Sequence, residues 1–378
     1  MAKKPNKNKI RTDFRKNRGA RSRDKDLTRD FQQTDWDDDA HKSSERLSGK
    51  GELARKRTVV GEVRTDDAGL NVELEVDESA CLRGRVLICH GLHSTVQASD
   101  GKIYRCATRR LLKTMSTDQR HVVAAGDLVL FRPEGNDEGI IERVEARRGV
   151  IARTSRGRQH VLVANVDQVL IIASAAEPKI KPHLIDRLVV TAERAGIRPV
   201  VCINKIDLVN PATLQPLAGV YGQMGYEVLQ MSATHRRGVQ RLREVVRNKQ
   251  SVVAGQSGVG KSSLLNAIQE RLELEVRSVS ADNEKGRHTT TTASLISLDI
   301  GGWIVDTPGI RKFELWDVIP AEVPGYCRDI RPFVSYCRFP NCSHIHESEC
   351  AVKDAVADGR LDLRRYESYC HMFAGDVA

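Results

Sequence analysis

The stretch of this chain best equipped for chemistry is Gly255-Gln256-Ser257-Gly258-Val259-Gly260-Lys261-Ser262, followed by Ser263. Its glycines let the backbone turn tightly and bring N–H groups onto phosphate oxygens, and the positive end of a following helix adds to that attraction. Lys261 is spaced to reach the β- and γ-phosphates, and the Ser262 hydroxyl to sit on Mg²⁺. A second stretch, Asn204-Lys205-Ile206-Asp207, offers the carboxylate of Asp207. That group can accept hydrogen bonds from the N1–H and the amino group of guanine, whereas adenine has no such amino group. Such a site rejects the wrong base strongly, because the mismatch leaves a buried carboxylate unpaired. Ser232-Ala233 can turn a backbone N–H toward guanine O6.

Downstream, Asp306-Thr307-Pro308-Gly309 supplies Asp306 for Mg²⁺, directly or through water, and the Gly309 N–H for the γ-phosphate. Between these stretches lies the polar run Gly286-Arg287-His288-Thr289-Thr290-Thr291-Thr292. One of its threonines would complete the Mg²⁺ shell: Thr290, with Thr289 the alternative. Near the end, Cys337-x₄-Cys342-x-His344-x₅-Cys350 gathers three thiolates and one imidazole, the ligand set of a closed, structural Zn²⁺ site. His346 is a rival ligand, and Cys327 and Cys370 read as ordinary thiols.

These groups need elements to hold them. Val252-Val253-Ala254 is an apolar run ahead of Gly255, and Leu264, Leu265 and Ile268 after it have helical spacing, so the glycines join a strand to a helix. Upstream, Val166–Ala173 reads as a buried strand, His183–Ala195 as an amphipathic helix stopped at Gly196, and Pro199–Ile203 as the strand that delivers Asn204. Tyr226–Met231 is a further strand, Gly238–Arg247 a further helix, and Trp303–Val305 the strand ahead of Asp306. Strands alternating with helices imply a doubly wound, mostly parallel sheet, with ligands at its carboxyl edge. Five short strand-like runs between residues 82 and 149 suggest a small five-stranded barrel of OB type. Arg105, Arg109 and Arg110 add positive charge on and after its third strand.

The chain has 378 residues and a formal net charge of +10, long enough for several domains and suggestive of a polyanionic partner. No apolar run approaches the ~20 residues that span a bilayer, and the basic N-terminus lacks the apolar core of a signal peptide. Nine cysteines, an odd number, favour reduced thiols and a metal site over a disulfide framework, as in a soluble cytosolic protein. Residues 1–30 carry twelve Lys/Arg against four Asp/Glu and few large apolar groups. Such a segment cannot bury enough surface to offset its ordering entropy, so residues 1–80 are expected to be largely disordered. Leu70–Val76 alternates like a strand within them.

Taken together, Asn204–Asp207, Ser232-Ala233, Gly255–Ser262, the threonine run and Asp306–Gly309 resemble the GTPases, with the base motif ahead of the phosphate loop. That order is the one of the circularly permuted branch. With a barrel before it and a Cys/His cluster after it, the chain resembles the ribosome small-subunit-dependent GTPase A family over residues 82–370. Beyond the basic extension read from composition (1–80), the resemblance implies an OB-fold barrel (81–150), a circularly permuted P-loop GTPase α/β domain (151–315) and a small α-helical zinc-binding domain (316–378). It further implies a cytoplasmic GTP hydrolase that acts in late maturation of the small ribosomal subunit. Its partners would be that subunit, its rRNA and GTP or GDP, with one Zn²⁺ and Mg²⁺ as cofactors, no membrane, and a monomeric state. The position where Ras-like enzymes carry a water-orienting Gln is Ile310, which cannot hydrogen-bond. His288, similar to the family's switch histidine, is the candidate for that task. Ile310 also keeps open an alternative: an rRNA-binding scaffold for which GTP and GDP serve only as a conformational switch. Arg328, Arg331, Arg338, Arg360, Arg364 and Arg365 around the metal cluster suggest an RNA-facing surface. A signalling GTPase with protein partners fits poorly with basic arm, barrel and zinc module together.

Overall fold

The computed structural model describes residues 9–13, 56–66, 69–74, 76–90, 93–109, 123–155, 158–269, 293–306 and 319–375. Within the stretch expected to be largely disordered it has three strands, β1 (Lys9–Asp13), β2 (Lys56–Asp66) and β3 (Gly69–Leu74), forming an antiparallel sheet. β2 and β3 are antiparallel partners, with Val63 in register with Val72.

Five strands follow: β4 (Leu82–His90), β5 (His93–Ala98), β6 (Ile103–Thr108), β7 (Leu128–Glu134) and β8 (Glu138–Val144). They close on themselves. β4 pairs with β5, β5 with β6, β6 runs parallel to β8, β8 pairs with β7, and β7 returns to β4. This is the ring order of an OB-type barrel. The alternation that predicts the strands also fills the interior: Val86, Val96, Tyr104, Cys106, Phe131 and Ile141 point inward, with the Tyr104 and Phe131 rings 5.0 Å apart. On the outside, Arg105 is exposed and Arg109 is tied to Glu142 at 2.9 Å, while Arg110 lies outside the described residues.

A hairpin of β9 (Ile151–Ser155) and β10 (Arg158–Val163) leads into β11 (Gln168–Ser174), α1 (Pro182–Arg194) and β12 (Arg198–Asn204). Then come α2 (Gln215–Gln223), β13 (Glu227–Gln230), α3 (Val239–Val246), β14 (Gln250–Ala254) and α4 (Lys261–Ile268). The sheet is completed by β15 (Ser294–Ser297) and β16 (Trp303–Asp306). Its order is β13-β12-β11-β14-β16-β15, parallel except for β15. Every residue of β11 is buried, as expected of a central parallel strand covered on both faces. α1 and α2 pack on one face through Ile185, Leu188 and Tyr221, and α3 and α4 on the other through Leu242, Leu264 and Ile268. From β13 at the edge the chain crosses back past β12 and β11 to place β14 on the far side of β11. That reversal opens a crevice at the carboxyl ends of β11 and β14, the switch point where doubly wound sheets bind ligands.

The barrel is not a loose appendage. Ile88 of β4 pairs with Ser294 of β15, and Arg85 hydrogen-bonds Gln250 and stacks 4.3 Å over the Trp303 ring.

The remaining helices are α5 (Val323–Tyr326), α6 (Arg331–Val334), α7 (Ala351–Ala357) and α8 (Leu363–Ala374). They form their own core around Ile330, Val352, Tyr369 and Met372, joined by Val190 from α1. Arg365 of α8, 3% exposed, lies between Asp186 of α1 at 2.5 Å and Asp329 at 2.8 Å, and Asp186 also accepts from Tyr221 at 2.7 Å. Arg328 reaches Glu193 of α1 at 2.7 Å and covers the Tyr226 ring. Two of the arginines expected on an RNA-facing surface, Arg328 and Arg365, therefore bind this module to α1 instead. Asp186 and Glu193 sit on α1, beyond the reach of a reading of the module alone, whereas Asp329 belongs to the module. Among the described residues no helix is long and apolar enough to cross a membrane.

Candidate nucleotide site and metal cluster

β14 ends at Ala254 and α4 starts at Lys261, so Gly255–Gly260 spans the turn between strand and helix. Two of its glycines are dictated by space. A Cβ on Gly255 (φ 144°) would lie 2.1 Å from the Ile172 carbonyl oxygen, and one on Gly260 (φ 92°) 2.4 Å from the Asn204 amide nitrogen. No larger residue fits either place without moving β11 or Asn204. The Lys261 ammonium donates to the carbonyls of Gly255 at 2.9 Å and Gln256 at 2.6 Å, which holds it within the curve of the loop. Ser262 and Ser263 follow in the first turn of α4 and are half-buried. The adjoining crevice is lined by Ser174, Pro178, Lys179, Lys181, Gly255 and Gln256.

β12 delivers Asn204 beside this loop. Its side chain is 2% exposed; the amide nitrogen donates to the Val259 carbonyl at 2.9 Å and the amide oxygen accepts from the Ala233 N–H at 3.2 Å. One residue thus ties the phosphate-type loop to the end of β13. Lys205 takes a left-handed turn (φ 64°), and its ammonium donates to the Gly258 carbonyl at 2.8 Å and to the Glu177 carbonyl at 2.5 Å. After it, Ile206–Leu208 form a short 3₁₀ turn that buries Ile206 and sets Asp207 beside Ser232 and His235. The Ser232 hydroxyl is the main reason the Asp207 carboxyl lies below its ordinary range, and desolvation opposes it. Asp207 Oδ1 is buried and takes no hydrogen bond among the described residues. The structure thus gathers Asn204–Asp207, Ser232-Ala233 and Gly255–Ser263 at one edge of the sheet. Asp306 ends β16, one residue past the Val252↔Val305 pair, so its backbone stands at the same edge. His288, Thr290 and Gly309 lie outside the described residues.

The second cluster lies in the C-terminal module. Cys337, Cys342, His344 and Cys350 present one donor atom each, all within 4.8 Å of one another. Sγ of Cys337 and Sγ of Cys350 are 3.8 Å apart, and His344 Nδ1 is 3.4 and 3.5 Å from them. A tetrahedral ion with bonds of about 2.3 Å to sulfur and about 2.0 Å to nitrogen sets its vertices roughly 3.8 and 3.5 Å apart. The donors therefore fit a tetrahedral metal ion. His346 is exposed and outside the cluster; Cys327, buried, and Cys370, half-buried, are outside it too. Burial lowers the His344 pKa, which favours the neutral imidazole a metal requires. The loop is braced from outside. Tyr366 donates to the His344 carbonyl at 2.8 Å, Tyr369 to the Ser343 carbonyl at 2.7 Å, and the Glu347 carboxylate accepts from the Ser343 N–H at 2.7 Å.

Sequence reasoning missed the hold of the Glu177 carbonyl on Lys205, the His235 contact and the bracing tyrosines. The tyrosines had a signal: Tyr366, Tyr369 and Phe373 recur at helical spacing on α8, which turns them toward one neighbour.

Comparison with known proteins shows the family to which the chain is similar. The profile of the family described as RsgA GTPase matches residues 144–316. A small ribosomal subunit biogenesis GTPase RsgA from Chlorobaculum parvum is 37% identical over 300 residues, covering 76% of this chain and 96% of that protein. Its counterpart from Shewanella oneidensis is 33% identical over 340 residues, covering 88% and 95%. Among solved structures, YjeQ from Thermotoga maritima superposes with a TM-score of 0.65 at 34% identity, covering 78% of this chain and 98% of that one. YloQ, described as a circularly permuted GTPase, gives 0.63 at 29% identity, covering 80% and 96%.

Proposed function

The chain belongs to the RsgA family of GTPases, and from that premise we propose that it hydrolyses GTP to GDP and phosphate on the small ribosomal subunit during late maturation. The observation that carries the reading is Asn204 binding the glycine loop and the end of β13 into one unit. This unit joins a phosphate cradle to a carboxylate suited to guanine. In it Asp207 reads the guanine N–H groups and the N–H groups of Gly255–Ser263 with Lys261 hold the phosphates, while the Ala233 N–H expected at O6 is taken by the Asn204 amide oxygen. Ser262, Asp306 and Thr290 would hold Mg²⁺, which shields the phosphate charge during transfer, and the Gly309 N–H would sense the γ-phosphate. His288 orients the attacking water, a task the apolar Ile310 cannot perform.

The metal is Zn²⁺ in a structural role, because three thiolates and an imidazole close the shell and leave no position for substrate. Metal analysis of protein purified without chelators is expected to find about one zinc per chain; a metal-free, folded protein would contradict this. The division of the chain follows: a basic extension to residue 80, the barrel at 81–150, the permuted GTPase unit at 151–315 and the zinc module at 316–378. The subunit and its rRNA are the partners to which the net charge of +10 is suited, and their place is the cytoplasm. The test is co-sedimentation with purified ribosomal subunits. Binding to small but not large subunits, stronger with a non-hydrolysable GTP analogue than with GDP, is expected; equal binding to both subunits would refute the assignment.

A further inference from the structure

Ser232 is fully buried, and its hydroxyl oxygen accepts the His235 backbone N–H at 3.1 Å. The imidazole Nδ1 of His235 lies 3.4 Å from the same oxygen and 3.6 Å from Asp207 Oδ2. In the tautomer that carries hydrogen on Nδ1, the ring donates from this edge to the Ser232 oxygen, the nearer of the two acceptors. The turn holding the ring is closed by the Ser232 N–H on the Arg237 carbonyl at 3.0 Å, with Arg236 left-handed (φ 55°). Arg237 is the other cation facing Asp207 from this turn.

We infer that His235 is a positioning residue for guanine recognition, acting through Ser232. With the His235 N–H and Nδ1–H both directed at Ser232 Oγ, the acceptor capacity of that oxygen is taken up. Its own hydrogen is then left to point at Asp207. The hydroxyl rotor is fixed, Asp207 Oδ2 lies on the His235 side at 3.6 Å, and the buried Oδ1 remains for an N–H of the base. The ring is 60% exposed on its outer edge, so its role lies in this contact rather than in core packing. The inference rests on the assignment of Asp207 to the base.

The test compares binding of GDP, IDP and XDP by the full chain and three variants. IDP lacks the amino group of guanine, so the ratio of GDP to IDP affinity reports how well Asp207 is aimed. His235→Leu is expected to weaken GDP about 3- to 10-fold, the net worth of one hydrogen bond, and to narrow the GDP/IDP ratio. His235→Asn keeps a side-chain N–H near Ser232 and is expected to restore most of both. Leu binding GDP and IDP as the parent does, or Asn failing as Leu does, would overturn the role of His235. Asp207→Asn separates this from the underlying reading: its amide can donate to the C2 oxygen of xanthine, so XDP should overtake GDP. Unchanged base preference in Asp207→Asn would remove Asp207 from base recognition, and the inference would fall with it.

Discussion

Asn204 shows how one side chain can hold two loops of a site together. Its two amide atoms are buried and both are used, one on the glycine loop and one on the end of β13. Removing it leaves the Val259 carbonyl and the Ala233 N–H unpaired. Asn204→Ala is therefore expected to cost about 1–3 kcal/mol in urea denaturation and to weaken GDP binding as the two loops separate. Unchanged stability would mean the tie is dispensable. At this scale much was legible from sequence. Asp207, Lys261 and Gly260 declare themselves because their chemistry or their lack of a side chain admits few substitutes at that spacing. His235 and Glu177 did not, because they act through a ring edge and a backbone carbonyl whose placement the fold decides.

The elements were legible where one periodicity ruled. β11, β12 and β14 are unbroken apolar runs, and the barrel strands alternate, so their positions follow from burial. β15 and α2 were missed: β15 has four residues, and α2 carries Pro216, Gly219 and Gly222, which weaken its helical signal. α8 was misjudged in one respect. Arg365 falls in the stripe of Tyr369 and Met372, which places it inward, yet an arginine in a basic segment reads as surface. Its burial is made tolerable by Asp186 and Asp329 on either side. Arg365→Met would leave Asp186 buried without its cation and is expected to cost about 3–5 kcal/mol, read from the urea midpoint. A loss below about 1 kcal/mol, the level of an exposed pair, would show that the ion pairs are not buried in solution.

For the whole molecule, the permuted order determines what neighbours what. β12, which delivers Asn204–Asp207, comes before β14 and its glycine loop, and the chain beyond β16 runs on to the metal module, which packs on α1. The barrel meets the sheet at β15 and at the starts of β14 and β16, the strands that lead to the glycine loop and to Asp306. Barrel and metal module thus attach to the nucleotide unit at different places, which suits a protein that engages a large ribonucleoprotein at more than one point. The central claim is GTP hydrolysis responsive to the small ribosomal subunit. Its most direct test is GTP turnover by the full chain and by His288→Ala, each with and without purified small subunits. Slow turnover alone, acceleration by small but not large subunits, and a loss of ~100-fold or more in His288→Ala with GDP affinity retained are expected. Turnover indifferent to small subunits and unchanged by the substitution would contradict it.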